Sequence, residues 1–170
     1  MFIIFGYDRI IKKSLPGPGP QVKTELPEKE ERTAMVKVIL GDKGSGNTKE
    51  LMSAIGEALA RESGSLVCIE KGSDLTYDVD YRVRLINATD YGMEGFVFLR
   101  GFLSGLHGGN FDLSHIFIDS LYKVAGSRDQ VEAERFLDWC ADFGERNSVH
   151  FTISVTDDPA LASYGIKKYC

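Results

Sequence analysis

The chain has 170 residues, of which 43% are hydrophobic and 26% charged, a composition typical of one globular domain with a sizeable core. Its formal net charge of −5 gives no long-range attraction to nucleic acid or to anionic lipid, so we expect neither as a partner. No apolar run reaches the ~18 residues of a membrane span, and the start lacks the features of a signal peptide. Three scattered cysteines fit neither a disulfide framework nor a zinc pair, so a cytoplasmic protein is expected.

Residues 1–34 differ in composition from the rest of the chain. After a short apolar start they contain SLPGPGPQVKTELPEKEERTA, which is rich in proline and charge. Such a stretch buries too little apolar surface to offset the entropy lost on ordering. We therefore predict a disordered or linker-like extension over 1–34 and a single domain over 35–170. Because Met35 directly precedes the first strand pattern, we also hypothesise that translation starts there.

From Met35 onward, strand and helix patterns alternate. MVKVIL predicts a strand that ends at Gly41, and KELMSAIGEALARESG predicts a helix. The inner face of this helix is expected to carry Leu51, Ile55, Ala58 and Leu59. SLVCIEKG predicts a second strand, and YRVRLINATDY a third, in which Val83 and Leu85 alternate with polar residues.

The second half of the chain repeats this alternation. MEGFVFLRGFLSGLHGG predicts a helix from about Met93 to His107, SHIFIDS a buried strand, RDQVEAERFLDWCADFGERN an amphipathic helix and SVHFTISV a further strand. The amphipathic helix is expected to direct Ala133, Leu137, Cys140 and Phe143 inward. PALASYGIKKYC predicts one helical turn and a last edge strand. Alternating strands and helices favour an α/β fold, a parallel sheet covered by helices on both faces.

The loop between the first strand and the first helix, GDKGSGNT, matches the phosphate-binding pattern G-x-x-x-x-G-K-[ST] except at Asn47. Glycines let such a loop curl so that its N–H groups point inward, and the following helix adds its positive dipole end. We therefore predict a site for ATP or GTP. Its residues are Gly41, Asp42, Lys43, Gly44, Ser45, Gly46, Asn47 and Thr48. The alternative is an ordinary glycine-rich turn.

Asn47 stands where the pattern requires a lysine, so the charge that binds the β and γ phosphates is missing. A charge-assisted hydrogen bond contributes roughly 1.5–3 kcal/mol, so its loss weakens triphosphate binding by about 10- to 150-fold. Hydrolysis should suffer more, because the lysine neutralises charge that grows in the transition state. Lys43 and Lys49 are the candidates to replace it.

The strand HIFIDS delivers Asp119 to the carboxyl end of the sheet, where a carboxylate and a loop hydroxyl together hold Mg²⁺ in phosphate-loop enzymes. We predict Thr48 and Asp119 as the metal-side residues. The next residue, Ser120, offers no carboxylate to activate water, so the catalytic residue stays unknown. Ser154 and Thr156, at the end of the last strand pattern, are candidate γ-phosphate contacts or ordinary strand-end hydroxyls.

The predicted helix around Phe96 to Leu106 is apolar on most of its sides. Most such residues belong to a core, but their width exceeds one helical face. A surface that binds a protein partner is the alternative interpretation.

The segments MVKVILGDKGSGNTKELM, YDVDYRVRLINATDY and HIFIDSLYKV resemble small bacterial P-loop NTPase-like proteins, a family described as ATP-binding or twitching-motility-like. The resemblance runs from Met35 to the end. It implies a three-layer P-loop NTPase-like domain with a nucleotide site at Gly41–Thr48 and Asp119 on the metal side. Family members usually carry lysine where this chain has Asn47. We expect a weak or slow NTPase switch; the alternative is a pseudo-NTPase that serves as a protein-interaction module.

Overall fold

One sheet of five parallel strands, in the order β1-β5-β4-β2-β3, forms the centre of the fold. The computed structural model describes residues 35–170, and the extension predicted over 1–34 lies outside them. The strands are β1 (Val36–Gly41), β2 (Ser65–Glu70), β3 (Val83–Asn87), β4 (Leu113–Ile118) and β5 (His150–Thr156). The helices are α1 (Asn47–Arg61), α2 (Gly95–Gly109), α3 (Leu121–Ala125), α4 (Gln130–Asn147) and α5 (Tyr164–Lys167), with a 3₁₀ turn at Ala88–Tyr91.

Successive residues of the central strands are buried on opposite faces of the sheet, because helices cover both. On one face, Cys68 and Phe117 pack in a cluster with Leu51 and Ile55 of α1. On the other face a larger cluster is built from the strands and from α2, α3 and α4. Its members include Val67, Ile69, Ile116, Ile118, Leu99, Leu121, Phe136 and Leu137. The prediction of an α/β, three-layer fold, with a parallel sheet covered by helices on both faces, is confirmed.

Most residues predicted to lie on the inner faces of the helices are buried in the structure. On α1, Leu51, Ile55 and Ala58 are buried and Leu59 is half-buried. On α4 all four residues expected to point inward are buried. The helix predicted from about Met93 to His107 is found two residues further along, as α2.

The predicted last edge strand is wrong. The chain forms the short helix α5 and ends in a turn, which buries Ile166 and Tyr169 in the larger core cluster. The Tyr169 carbonyl still accepts a hydrogen bond from the Val38 N–H of β1, at 2.8 Å. Burial of two large side chains outweighs the β-propensity of this short segment.

A polar cluster crosses the amino end of the sheet, away from the glycine loop. His115 of β4 contacts Glu62 through Nδ1 (2.8 Å) and Thr152 of β5 through Nε2 (2.9 Å). Ser114 donates to the second carboxylate oxygen of Glu62 at 2.7 Å. Burial lowers the pKa of His115 despite the neighbouring Glu62 carboxylate. Burial opposes the pKa shift of Glu62, but hydrogen bonds from His115 and Ser114 keep that pKa below its usual value.

The folded state therefore prefers neutral His115, and we expect the free energy of unfolding to fall on acidification. A His whose pKa is lowered by folding stabilises the protein above its unfolded pKa of ~6.5, and this stabilisation is lost as pH falls below that value. Urea titrations at about pH 7.5 and about pH 5.5 measure this change. Between the two pH values, the free energy of unfolding should fall by more in the wild type than in His115→Gln. Equal losses in the two proteins would contradict the assignment. The Glu62 contribution disappears only below its unfolded pKa of about 4.5, outside this window.

Candidate functional site

The glycine loop lies at the carboxyl edge of the sheet, between β1 and α1. Gly44 (φ 86°) and Gly46 (φ 98°) both adopt positive φ, which residues with a Cβ rarely tolerate. The Ser45 N–H donates to the Asp42 carbonyl at 3.0 Å and closes a turn within the loop. The sequence pattern predicted this curled conformation, and the two glycines make it possible.

The helix that follows leaves its first N–H groups without helical partners. Glu50 is the first residue of α1 to donate back, to the Gly46 carbonyl at 3.0 Å. The N–H groups of Asn47, Thr48 and Lys49 therefore have no carbonyl of their own helix to bind. Together with the helix dipole they favour an anion at this end of α1.

The side chain of Asn47 holds the loop in its curled form. Its Nδ2 donates to the Gly41 carbonyl at 2.9 Å and to the Val155 carbonyl of β5 at 3.3 Å. Its Oδ1 accepts from Ser45 Oγ at 2.9 Å. We name this set of four residues, Gly41, Ser45, Asn47 and Val155, the loop clamp. A neutral amide thus joins both ends of the loop to the neighbouring strand.

Gly41 is required by the loop clamp for steric reasons. A Cβ at this position would lie 2.4 Å from Ser45 Oγ and 2.6 Å from Asn47 Oδ1. Both distances are shorter than van der Waals contact, so a larger residue would displace the two side chains.

The predicted metal-side pair, Thr48 and Asp119, meets below the loop. Thr48 Oγ1 donates to Asp119 Oδ1 at 3.1 Å, although the two residues are 71 positions apart. The buried Ser154 hydroxyl also donates to Oδ1, at 2.9 Å, and accepts from the Ser120 N–H at 2.7 Å. Ser154 therefore orients Asp119, while its neighbour Thr156 borders the cavity above.

Ser120 follows Asp119 in a left-handed conformation (φ 56°, ψ 68°). This region costs a residue with a Cβ roughly 1–2 kcal/mol, and such strain is often found at functional sites. The hydrogen bond between the Ser120 N–H and Ser154 holds the strained residue in place. It fixes the point at which β4 turns into α3.

A cavity of about 980 Å³ opens above the loop and holds most of the residues predicted for the nucleotide site. The loop contributes Asp42, Lys43, Gly44, Gly46, Asn47 and Thr48. Lys49, the second candidate cation, also lines it. The cavity is also lined by residues that were not predicted from the sequence: Met52, Leu75, Asp78, Tyr122, Lys123 and Arg128. Of these, only Lys123, four residues after Asp119, has a position that could have indicated part of this lining.

Glu70 is a second residue that the sequence analysis missed. It ends β2, which pairs with β4 so that Ile69 lies opposite Ile118, and Glu70 is therefore beside Asp119 at the sheet edge. Both its carboxylate oxygens accept from the Leu75 N–H, at 3.3 and 3.1 Å. Burial raises the pKa of Glu70, and the charges of Asp74 and Asp119 add to the shift.

The oxygen donors of the site fit Mg²⁺. This ion prefers carboxylate, hydroxyl and phosphate oxygens and keeps several waters. Within residues 35–170 no group of three or more His, Cys, Asp or Glu side chains could hold a metal ion alone. Thr48 and Asp119 would hold the ion from one side, and it would supply positive charge to a bound phosphate.

The fold is a three-layer α/β domain, and the curled glycine loop at the carboxyl edge of its sheet is the candidate phosphate-binding site. No protein-family model and no curated protein matches the chain. Among solved structures, the flagellar accessory protein FlaH from Methanocaldococcus jannaschii is similar, with 13% sequence identity and a TM-score of 0.48. The match covers 78% of this chain and 65% of that one, so this chain spans less than two thirds of its length. Within residues 35–170 no helix has the length and apolar character needed to cross a membrane.

We expect Gly41→Ala to lower the free energy of unfolding by about 1–3 kcal/mol, because the new methyl group overpacks the loop clamp. Gly56→Ala is the matched control, since Gly56 lies within α1 and, apart from its chain neighbours and the backbone of that helix, no heavy atom lies within 4 Å of the position that its methyl group would take. The control should stabilise the protein by up to about 1 kcal/mol through helix propensity. Urea denaturation measures the free energy of unfolding of both variants. A Gly41→Ala protein as stable as the wild type would show that the loop clamp is not formed.

Proposed function

We propose that this chain is a nucleotide-binding phosphate-loop protein that binds ATP, or GTP, with Mg²⁺ and hydrolyses it slowly, as a switch. The observation that carries the proposal is the contact between Thr48 and Asp119 directly below a curled glycine loop. Thr48 belongs to α1 and Asp119 follows β4, so their meeting is a property of the fold and not of one local motif. The cavity above them, about 980 Å³, is large enough for a nucleotide.

In this proposal each part of the site has one task. The N–H groups at the start of α1 bind phosphate oxygens, and Thr48 and Asp119 bind the metal ion. Ser154 keeps Asp119 in position through its hydrogen bond. Asn47 keeps the loop curled but contributes no charge, so affinity is modest and hydrolysis slow.

Glu70 is the candidate for the proton acceptor that slow hydrolysis requires. It is the carboxylate beside Asp119 at the end of the neighbouring strand, and its pKa is raised by burial. A carboxylate whose pKa is shifted toward neutrality is a better base at physiological pH. Its hydrogen bond to Leu75 also holds the segment that forms one wall of the cavity.

A protein-interaction module that binds no nucleotide is the second candidate. The observation that favours it is apolar exposure on and beside α2: Val97 is 81% exposed and Phe111 is 86% exposed. Phe96, Leu99 and Leu103 of the same helix belong to the core, so only the outer side of α2 is open to a partner. Nucleotide titration separates the two candidates.

We expect the wild type to bind a fluorescent ATP analogue in Mg²⁺ with a Kd below about 100 μM, and Thr48→Ala to lose this binding. The reason is that alanine removes the hydroxyl predicted to join the metal shell. Thr48→Ser keeps the hydroxyl and is the matched control. Chelating Mg²⁺ should bring the wild type to the level of Thr48→Ala. No wild-type binding up to millimolar nucleotide would instead favour the interaction module.

We expect Asn47→Lys to raise nucleotide affinity at least about tenfold, because it restores a charge-assisted bond to the phosphates. Asn47→Gln lengthens the side chain without adding charge and should give no gain. The same titration measures both variants. An unchanged affinity in Asn47→Lys would mean that another cation already fills this place, or that the loop does not bind phosphate.

A further inference from the structure

We infer that Arg128 supplies the positive charge that position 47 lacks, by binding the terminal phosphate of a nucleoside triphosphate. The inference rests on the proposed function and adds a phosphate-binding residue to it. Neither the glycine-loop pattern nor the Asp119 motif includes Arg128. It lies between α3 and α4 and lines the cavity above the glycine loop.

Asn47 cannot take this role itself, because its side chain is engaged within the loop. Its amide donates to the carbonyls of Gly41 and Val155 and accepts from Ser45. Turning the amide toward a phosphate would break these bonds and would still add no charge. A phosphate in the cavity therefore needs a cation from outside the loop.

Arg128 is attached to the strand end that borders the glycine loop. Its Nη2 donates to the Thr156 carbonyl at 3.2 Å. Thr156 is paired with Gly41 across β1 and β5, and the next N–H, of Asp157, donates to the Gly41 carbonyl at 3.1 Å. The guanidinium is thus fixed beside the first residue of the loop.

Neighbouring side chains orient the guanidinium. Its Cζ lies 5.4 Å from the centroid of the Tyr122 ring, and Nη2 lies 4.0 Å from Asp157 Oδ1. Asp157 is held in turn by Tyr122 Oη (3.3 Å) and by Gln130 Nε2 (3.1 Å). The Arg128 side chain nevertheless stays 69% exposed, so most of its five N–H donors are accessible to a ligand.

The three lysines that line the cavity are less well placed. Lys43, Lys49 and Lys123 are exposed, and none forms a hydrogen bond or ion pair through its side chain with another residue of the described range 35–170. Ordering a free lysine on a ligand costs up to about 2 kcal/mol of side-chain entropy. Arg128 is already ordered and can bind a phosphate through two parallel N–H groups.

The position of Arg128 selects the terminal phosphate. The loop and the start of α1 offer N–H groups to the inner phosphates, whereas the absent lysine would contact the β and γ phosphates. Arg128 approaches from the ends of β5 and α3, on the side where Asp119 also lies. We therefore expect it to discriminate triphosphate from diphosphate.

Calorimetric titration of the full chain with Mg-ATP, Mg-ADP and AMP tests the inference. Arg128→Ala should weaken ATP binding at least about tenfold, ADP binding less and AMP binding by no more than about twofold. Arg128→Lys should recover only part of the loss, because an ammonium lacks the planar pair of donors. Arg135→Ala, an exposed arginine of α4 outside the cavity, should bind like the wild type.

A double-mutant cycle separates a charge role from a structural one. If Arg128 replaces the loop lysine, Asn47→Lys should raise ATP affinity by a larger factor in Arg128→Ala than in the wild type. The inference would be overturned if Asn47→Lys raised ATP affinity by the same factor in Arg128→Ala and in the wild type. It would also be overturned if Arg128→Ala weakened ATP and ADP binding equally. Wild-type binding with an unchanged Arg128→Ala would overturn it and leave the proposed function standing. No binding by the wild type would overturn both.

Discussion

The hydrogen bonds of the Asn47 amide determine the shape of the site. They join the end of β1 at Gly41 to β5 at Val155 and close the loop through Ser45. Because α1 starts at Asn47, the same bonds set the direction of its first turn and so bring the Thr48 hydroxyl to Asp119. Loss of the amide would remove the side-chain bonds that join the loop to β1 and β5.

Much of the fold and half of the site could be predicted from the sequence, because they depend on local patterns. The apolar periods of α1 and α4 determined their inner faces, and the glycine spacing indicated a curled loop before a helix. The carboxyl ends of parallel strands all lie at one edge of the sheet, so Asp119, which follows β4, was expected at the same edge as the loop. The contact between Thr48 and Asp119 could therefore be predicted although the two residues are far apart in the sequence.

The rest depends on tertiary packing that no local pattern reports. Arg128 follows a five-residue helix without a motif, and its place at the cavity is set by Tyr122 and the end of β5. Glu70 resembles any strand-ending glutamate until β2 is known to pair with β4. The last segment was predicted as a helical turn followed by an edge strand; the helical turn is found, but burial of Tyr169 replaces the strand.

Asparagine at position 47, in place of the lysine of the loop pattern, changes what keeps the loop ordered. A lysine at the first turn of α1 is disfavoured by the helix dipole unless an anion is present, so a loop with lysine is completed by its ligand. A neutral amide that bonds to two carbonyls instead stabilises the curled loop through the protein's own groups. In the proposed nucleotide site, preorganisation of this kind would offset part of the affinity that the missing charge removes. In the proposed role of Arg128, an arginine anchored at Thr156 would contribute charge without disturbing the loop, so order and charge would come from two different elements of the fold.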